Sequence, residues 1–438
     1  MNSVVLLAAP AWRDPVQILS PFADEPFACL LHSGNAEWSY LLRDPAETLR
    51  SGDPLAALEA LIGDDAANDP DGPPFQGGVV GLACYELADH IEPAAMPRTA
   101  WPDLTAARYD AALAFDHAGR RVLAIGRGPD QAAAEQRAVE ALSWLDAPTR
   151  PAVAAGALAA RFEPEPGGLY EAAAADVIAR IARGEIFQAN IARVWSGALA
   201  AGVTPFDLFA RLCAQSPAPF GAYLRLADRA LVSNSPERFV RVARGEARAE
   251  PIKGTRPRGR DATEDAALAA TLRASPKDRA ENLMIVDLMR NDLSRVCQPG
   301  SVAAPVLCEL RTFANVHHLV SAVEGRLKPG VGAAGLLGAT FPPGSVTGAP
   351  KVQAMKVIAA CEPPRGPFYG SLFWAGADGS FESSVLIRSV ACVETGDGWA
   401  IEARAGGGIV ADSDPVEERR ETEAKMAAIH SALLESAA

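Results

Sequence analysis

Residues 251–258 read Pro251-Ile252-Lys253-Gly254-Thr255-Arg256-Pro257-Arg258, a lysine fenced by prolines and a glycine. Sixteen residues before Lys253 stands Glu237, within Ser235-Pro236-Glu237-Arg238-Phe239. The pattern predicts that Glu237 ends one strand and Lys253 follows another, so that a hairpin brings carboxylate and amine together. That pairing suits an acid and a nucleophile. For an arbitrary Glu and Lys a surface salt bridge is the commoner outcome, and the rigid setting of Lys253 shifts the balance toward chemistry.

Around this centre the chain alternates helices and strands. Helical periodicity covers 170–183, and strands are expected at 27–31, 79–83, 186–194, 230–232, 385–393 and 399–403. Ser275-Pro276-Lys277-Asp278 has the form of a capping box, opening a helix through Glu281 to about Arg290. Further helices are expected from Pro350 to near Cys361 and from Pro415 to the C-terminus. A stretch rich in Ala, Pro and Gly at 151–168 reads as a linker between an N-terminal region, 1–150, and a region of high motif density, 169–435.

Bulk properties narrow the class. The chain has 438 residues, 49% of them hydrophobic, enough for one large or two medium domains. Its formal net charge of -13, from 41 basic and 54 acidic residues, argues against nucleic acid or an anionic membrane surface as a partner. Seven scattered cysteines form no CxxC pair, which argues against a disulfide framework and a zinc site. No charged start leads into a long apolar run and no stretch of 18 apolar residues occurs, so a cytoplasmic protein is expected.

Further segments carry candidate chemistry. Lys277-Asp278-Arg279-Ala280-Glu281 and the C-terminal Glu417-Glu418-Arg419-Arg420-Glu421-Thr422-Glu423-Ala424-Lys425 can each project a carboxylate into a shared cleft. Magnesium is commonly held by one or two carboxylates with substrate oxygens and water. Glu421 alone reads equally as the i,i+4 partner of Lys425 on a solvated face. Gly344-Ser345-Val346-Thr347-Gly348-Ala349-Pro350-Lys351 runs into a helix start, where free N–H groups favour anions. It lacks P-loop spacing. Arg388, in apolar company, is a buried ion pair or an anion clamp. The glycines of Ala405-Gly406-Gly407-Gly408-Ile409 suit a turn that approaches a carboxylate. Of His317 and His318, one ring should face in and the other out.

Together these segments resemble the chorismate-utilising enzymes, the family of anthranilate, aminodeoxychorismate, isochorismate and salicylate synthases. The resemblance covers 165–435 closely and reaches the N-terminal region through Leu30-Leu31-His32-Ser33-Gly34 and Phe75-Gln76-Gly77-Gly78-Val79-Val80-Gly81. It implies an α+β fold of two large antiparallel sheets packed as a sandwich with flanking helices, the active site lying in the cleft between them. It implies Mg2+ on Glu281 and Glu421. Tyr369, Arg388 and Gly406–Gly408 would hold the pyruvyl carboxylate of chorismate, with Ser345 and His318 at the ring, Lys425 among the substrate contacts, and Glu237 as general acid/base. Ser33 would contact an amino acid held between the sheets, although it also reads as a plain strand end.

Two positions select among the reactions. Gln188 occupies the place where the water-using members carry a lysine base. At Lys253, anthranilate synthases typically carry alanine, as PIAGT, whereas aminodeoxychorismate synthases carry PIKGT. The resemblance therefore implies amination of chorismate at C4 through a covalent Lys253 adduct, with ammonia from a separate glutamine amidotransferase subunit. Phe373-Trp374 stands where the family usually has Gly-Tyr, and Phe381-Glu382-Ser383 where an Asp-Thr pair is common, which leaves the fine shape of the pocket open.

Overall fold

The computed structural model describes residues 3–63, 68–94, 96–150, 156–312 and 316–435. Short runs of small and β-branched residues become strands, as in Gly78–Ala83, whose six residues are all buried. They assemble into two antiparallel sheets. The first has 12 strands, running from Ser3–Ala8 at one edge through Cys29–His32, Phe220–Arg225, Arg229–Ser235, Ser389–Thr395, Gly398–Ile409 and Gln188–Leu199. The second has 10, including Ile252–Pro257, Val316–Arg326, Glu246–Ala249, Arg238–Ala243, Phe381–Val385, Ser371–Gly376 and Gly78–Ala83. This is the expected α+β sandwich.

An apolar layer fills the space between the sheets. Tyr40, Leu42, Ile125, Leu224 and Leu231 of the first meet Val80, Leu82, Tyr109 and Leu372 of the second. Three further clusters of buried residues lie outside, two of them under long helices. Helix Pro276–Val296 packs on the second sheet through Ile285, Val286, Met289 and Leu293. Helix Pro415–Leu434 packs on the first through Met426, Ile429 and Leu433. The helices thus turn one apolar face inward, as amphipathic helices must.

Both sheets draw strands from both sides of the expected linker. Cys29–His32 pairs with Phe220–Arg225, and Gly78–Ala83 pairs with Ser371–Gly376. The linker reading itself needs correction. Residues 159–164 form strand Ala159–Pro164 on Gln188–Leu199, and helix Gly167–Ala182 begins before 169. The strand buries Ala159 and Phe162, three residues apart because the register shifts between Ala198 and Leu199, and this burial outweighs the surrounding prolines. Residues 151–155 lie outside the described residues.

Helix starts follow the sequence signals, with one difference. Ser275 accepts from the Asp278 backbone N–H at 3.3 Å, but the Asp278 carboxylate binds Arg256 and does not complete the box. The helix continues to Val296, beyond the expected end, because Met289, Leu293 and Val296 extend its apolar face. Helix Ala262–Ala274 was not expected from the pattern, since only Leu272 of its residues is buried.

At Gly78 the backbone takes φ +137°, and an added Cβ would stand 2.3 Å from the Ala375 carbonyl oxygen of the neighbouring strand. Gly78→Ala is expected to cost about 2–3 kcal/mol. Urea denaturation checks this, and a midpoint unchanged at unchanged slope contradicts it.

Candidate active site

Two chain crossings between the sheets build the centre of the site. Arg229–Ser235 belongs to the first sheet and Arg238–Ala243 to the second, so Glu237 sits where the chain changes sheet. Phe381–Val385 belongs to the second and Ser389–Thr395 to the first, so Arg388 sits at another crossing. The crossings adjoin. Val385 N donates to Glu237 O at 3.0 Å, Asn234 N to Arg388 O at 3.1 Å, and Ser235 Oγ to Val385 O at 2.6 Å. The single strand expected over 385–393 is therefore two strands. Arg388, at φ +50°, marks the break and is exposed. A corner between packed sheets requires such an irregular joint.

Lys253 lies within strand Ile252–Pro257, not after a strand, and is half-buried. The register on Val316–Arg326 shifts between Lys253 and Thr255, with Gly254 at φ +77°. The expected meeting of Glu237 and Lys253 occurs through a third residue. Lys253 Nζ donates to Ser345 O at 3.2 Å, and Ser345 Oγ donates to Glu237 Oε1 at 2.8 Å. Burial pushes the Glu237 carboxyl up, against the pull of the Ser345 hydroxyl, Lys253, Arg388 and Lys425. Burial pulls the Lys253 ammonium down, against the charges of Glu281 and Glu237. Both groups shift toward their neutral forms.

Glu281, on helix Pro276–Val296, and Glu421, on helix Pro415–Leu434, both act electrostatically on Lys253, so the two helices converge here. Burial raises Glu281. Burial also works on Glu421, but Lys425 at 2.7 Å outweighs it and holds that carboxyl below its usual range. Lys425 Nζ further donates to Gly406 O at 2.7 Å. Among the described residues no group of three or more His, Cys, Asp or Glu stands ready as a metal cage. Glu281 and Glu421, one carboxylate from each helix, are the groups here that could hold a magnesium ion, which commonly takes one or two carboxylates and fills its remaining positions with substrate and water.

The glycines do not form a turn. Gly406, Gly407 and Gly408 lie in strand Gly398–Ile409, paired with Ala192, Ile191 and Asn190. A Cβ at Gly408 would stand 2.2 Å from Gln188 Nε2, and one at Gly407 2.6 Å from Glu418 Oε2. Close packing of these side chains requires the glycines. The Gly344–Lys351 segment likewise spends backbone on pairing, with Gly348 opposite Ala189, and delivers Ser345 from a short 3-10 turn. Gln188 is fully buried, and neither its amide N nor its O finds a partner among the described residues. The Tyr369 hydroxyl, buried at φ +62°, also finds none. Such groups are suited to a ligand. His317 is buried against Asp265, whereas His318 is half-buried and bonds Thr255 at 2.9 Å, one in and one outward as expected. Glu418, buried on the same helix as Glu421, escaped sequence reading because a run of charges reads as a solvated face.

Ser33 lies elsewhere. It follows strand Cys29–His32 and lines a cavity of about 670 Å³ with His32, Tyr40, Arg238, Trp374 and Glu382. Its hydroxyl accepts from Glu37 N at 3.1 Å. The unusual Trp374 and Glu382 shape this cavity, while Phe373 stacks on Phe381 at 5.5 Å beneath Gly81.

The model of the chorismate binding enzyme family matches residues 24–431. The chain belongs to this family. It is 36% identical to aminodeoxychorismate synthase component 1 of Klebsiella aerogenes, over 96% of this chain and 97% of that one. It is 39% identical to anthranilate synthase component 1 of Streptomyces coelicolor, over 89% and 79%. Among solved structures it resembles anthranilate synthase component I of Streptococcus pneumoniae, with TM-score 0.80 and 28% identity over 90% of this chain and 92% of that one. The menaquinone-specific isochorismate synthase of Escherichia coli, at 18% identity and TM-score 0.78 over 99% and 95%, shares the fold.

With six lysines in the chain, 13C reductive methylation resolves each by NMR. The Lys253 signal, assigned by its loss in Lys253→Ala, should titrate below 10.5. Glu237→Gln should lower the midpoint further, because the carboxylate favours the ammonium form. A midpoint at or above the free value contradicts the cleft electrostatics.

Proposed function

We propose that this chain aminates chorismate to 4-amino-4-deoxychorismate. The observation that carries the reading is the pair of hydrogen bonds at Ser345, one from Lys253 and one to Glu237, which joins an amine depressed toward neutrality to a carboxyl raised toward protonation. Neutral Lys253 attacks C2 of chorismate, the two ring double bonds shift from C1=C2 and C5=C6 to C1=C6 and C4=C5, and the C4–O bond breaks. Glu237 gives its proton to the departing hydroxyl, which leaves as water. Ammonia then bonds C4, both double bonds shift back, the C2–N bond breaks to release Lys253 as the amine, and the Glu237 carboxylate takes the proton that the incoming nitrogen gives up. Magnesium on Glu281 and Glu421, when bound, supplies Lewis-acid polarisation of the ring carboxylate. Arg388 and the Tyr369 hydroxyl supply the contacts for the pyruvyl carboxylate. His318 and Lys425 border the ring and the metal side, and the Gly406 carbonyl holds Lys425 there.

Amination at C2, giving anthranilate, is the competing reading, favoured by the similarity to anthranilate synthases. Lys253 argues against it, because an amine bonded at C2 blocks that carbon and directs ammonia to C4. Ammonia would be supplied by a separate glutamine amidotransferase subunit. Purified chain with chorismate, magnesium and ammonium should yield 4-aminobenzoate only when an aminodeoxychorismate lyase is added, and glutamine should not replace ammonium. Glu237→Gln should lower kcat by about 100-fold or more. Lys253→Ala should abolish the adduct seen by mass spectrometry without ammonia, EDTA should stop turnover, and adduct formation should rise with pH as Lys253 loses its proton. Anthranilate without lyase moves the reaction to the competing reading, and unchanged chorismate points to a non-catalytic sensor.

The 670 Å³ cavity suits an amino acid bound near Ser33. Calorimetry with tryptophan, after a denatured extract has been checked for ligand carried through purification, should show binding that weakens in Ser33→Ala. Equal binding by both proteins removes Ser33 from that role.

A further inference from the structure

Arg365 is the most heavily committed charge behind the cleft. It is 2% exposed, and all three guanidinium nitrogens are bonded. Nη1 donates to Val346 O at 3.0 Å, Nη2 to Asn190 O at 2.6 Å and to Glu362 Oε1 at 2.8 Å, and Nε to Glu362 Oε2 at 3.1 Å. Its planar group lies over the rings of Tyr85 and Tyr369, each at 4.5 Å. Glu362 takes Ala192 N at 2.9 Å, and Tyr85 OH donates to Thr347 Oγ1 at 3.1 Å. Glu86 grips the backbone N–H groups of Arg365 and Gly366 at 2.6 and 2.9 Å.

The partners share one property. Val346 and Thr347 follow Ser345, Asn190 and Ala192 lie on the strand of Gln188, and Tyr369 is itself a site residue. We propose that Arg365 is a positioning residue: without reaching the cleft, it fixes the Ser345 turn, the Gln188 strand and the Tyr369 ring in one relation to each other. This rests on the amination reading for what those three groups do. A planar fork with several fixed donor directions and a stacking face performs this task, and an ammonium cannot. Sub-ångström registry matters because misplacing reacting groups by about 1 Å costs about 100-fold in rate.

Arg365→Lys keeps the charge opposite Glu362 and loses the fork and the stacking. It should remain folded, lower the rate of chorismate consumption by about 100-fold, and raise deuterium uptake selectively in 343–349 and 367–370. Combined with Ser345→Ala, it should fall no more than about twofold below the worse single variant, since residues acting through one element are not additive. The pair Glu362→Gln with Arg365→Gln, which removes both charges of the ion pair together and leaves Arg404 its partner Glu402, should behave alike. Activity within twofold of wild type, losses that multiply in the double variant, exchange raised throughout the chain, or collapse of both proteins overturns the proposal. Wild-type protein that consumes no chorismate counts instead against the amination reading, and the exchange pattern still decides whether Arg365 holds these segments.

Discussion

Ser345 joins Lys253 and Glu237 by two different atoms, its carbonyl receiving the Lys253 amine and its hydroxyl reaching the Glu237 carboxyl. Both groups are drawn away from water, and each is pushed toward neutrality by that loss. A buried polar group left without a partner costs about 1–3 kcal/mol, so a single residue that serves both sides keeps the cleft foldable. It also lets the pair stay close without collapsing into a direct ion pair. An amine locked as ammonium against a carboxylate has no lone pair to offer and no acid to return.

The sheets explain why the charges stand where they do. Inside a sandwich, inward side chains fill an apolar layer, and a charge there has no solvent. Glu237 and Arg388 avoid that layer because each sits at a crossing from one sheet to the other, where the ladder of backbone bonds is interrupted. The carboxylates and Lys425 come from helices instead, reaching in from outside the second and first sheets. The residues proposed for the chemistry collect at the rim where sheets and helices meet, and the Arg365 cluster stands behind them.

The second cavity is built from different material. Its lining comes from the Ser33 end of the first sheet and from Arg238, Trp374 and Glu382 of the second. Arg238 lies next to Glu237 in the chain, so this cavity and the cleft share one sheet crossing. Of the residues that depart from the family pattern, Trp374, Glu382 and Ser383 line this cavity, and Phe373 stacks on Phe381 in the core of the second sheet.

Much of the site was legible because its chemistry is local. Ser275 before Pro276 announces a helix, the proline fences announce a rigid lysine, and Glu281 and Glu421 announce candidate ligands. Periodicity could not reveal the break at Arg388, because the residues on either side are apolar in both sheets and a change of sheet leaves the pattern intact. Nor could it separate a glycine turn from the glycine strand at Gly406–Gly408, whose need for glycine arises from Gln188 and Glu418 standing against it. Arg365 was invisible for the same reason, since Glu362 reads as an ordinary i,i+3 pair and its distant partners are carbonyls, of which every residue has one. The sequence by itself determined which groups are able to act as amine, acid and metal ligand, because these are properties of side chains. Only the tertiary structure decided that Ser345 would bridge them and that a buried guanidinium would hold the segments in place, because backbone acceptors become specific only when distant segments are packed together.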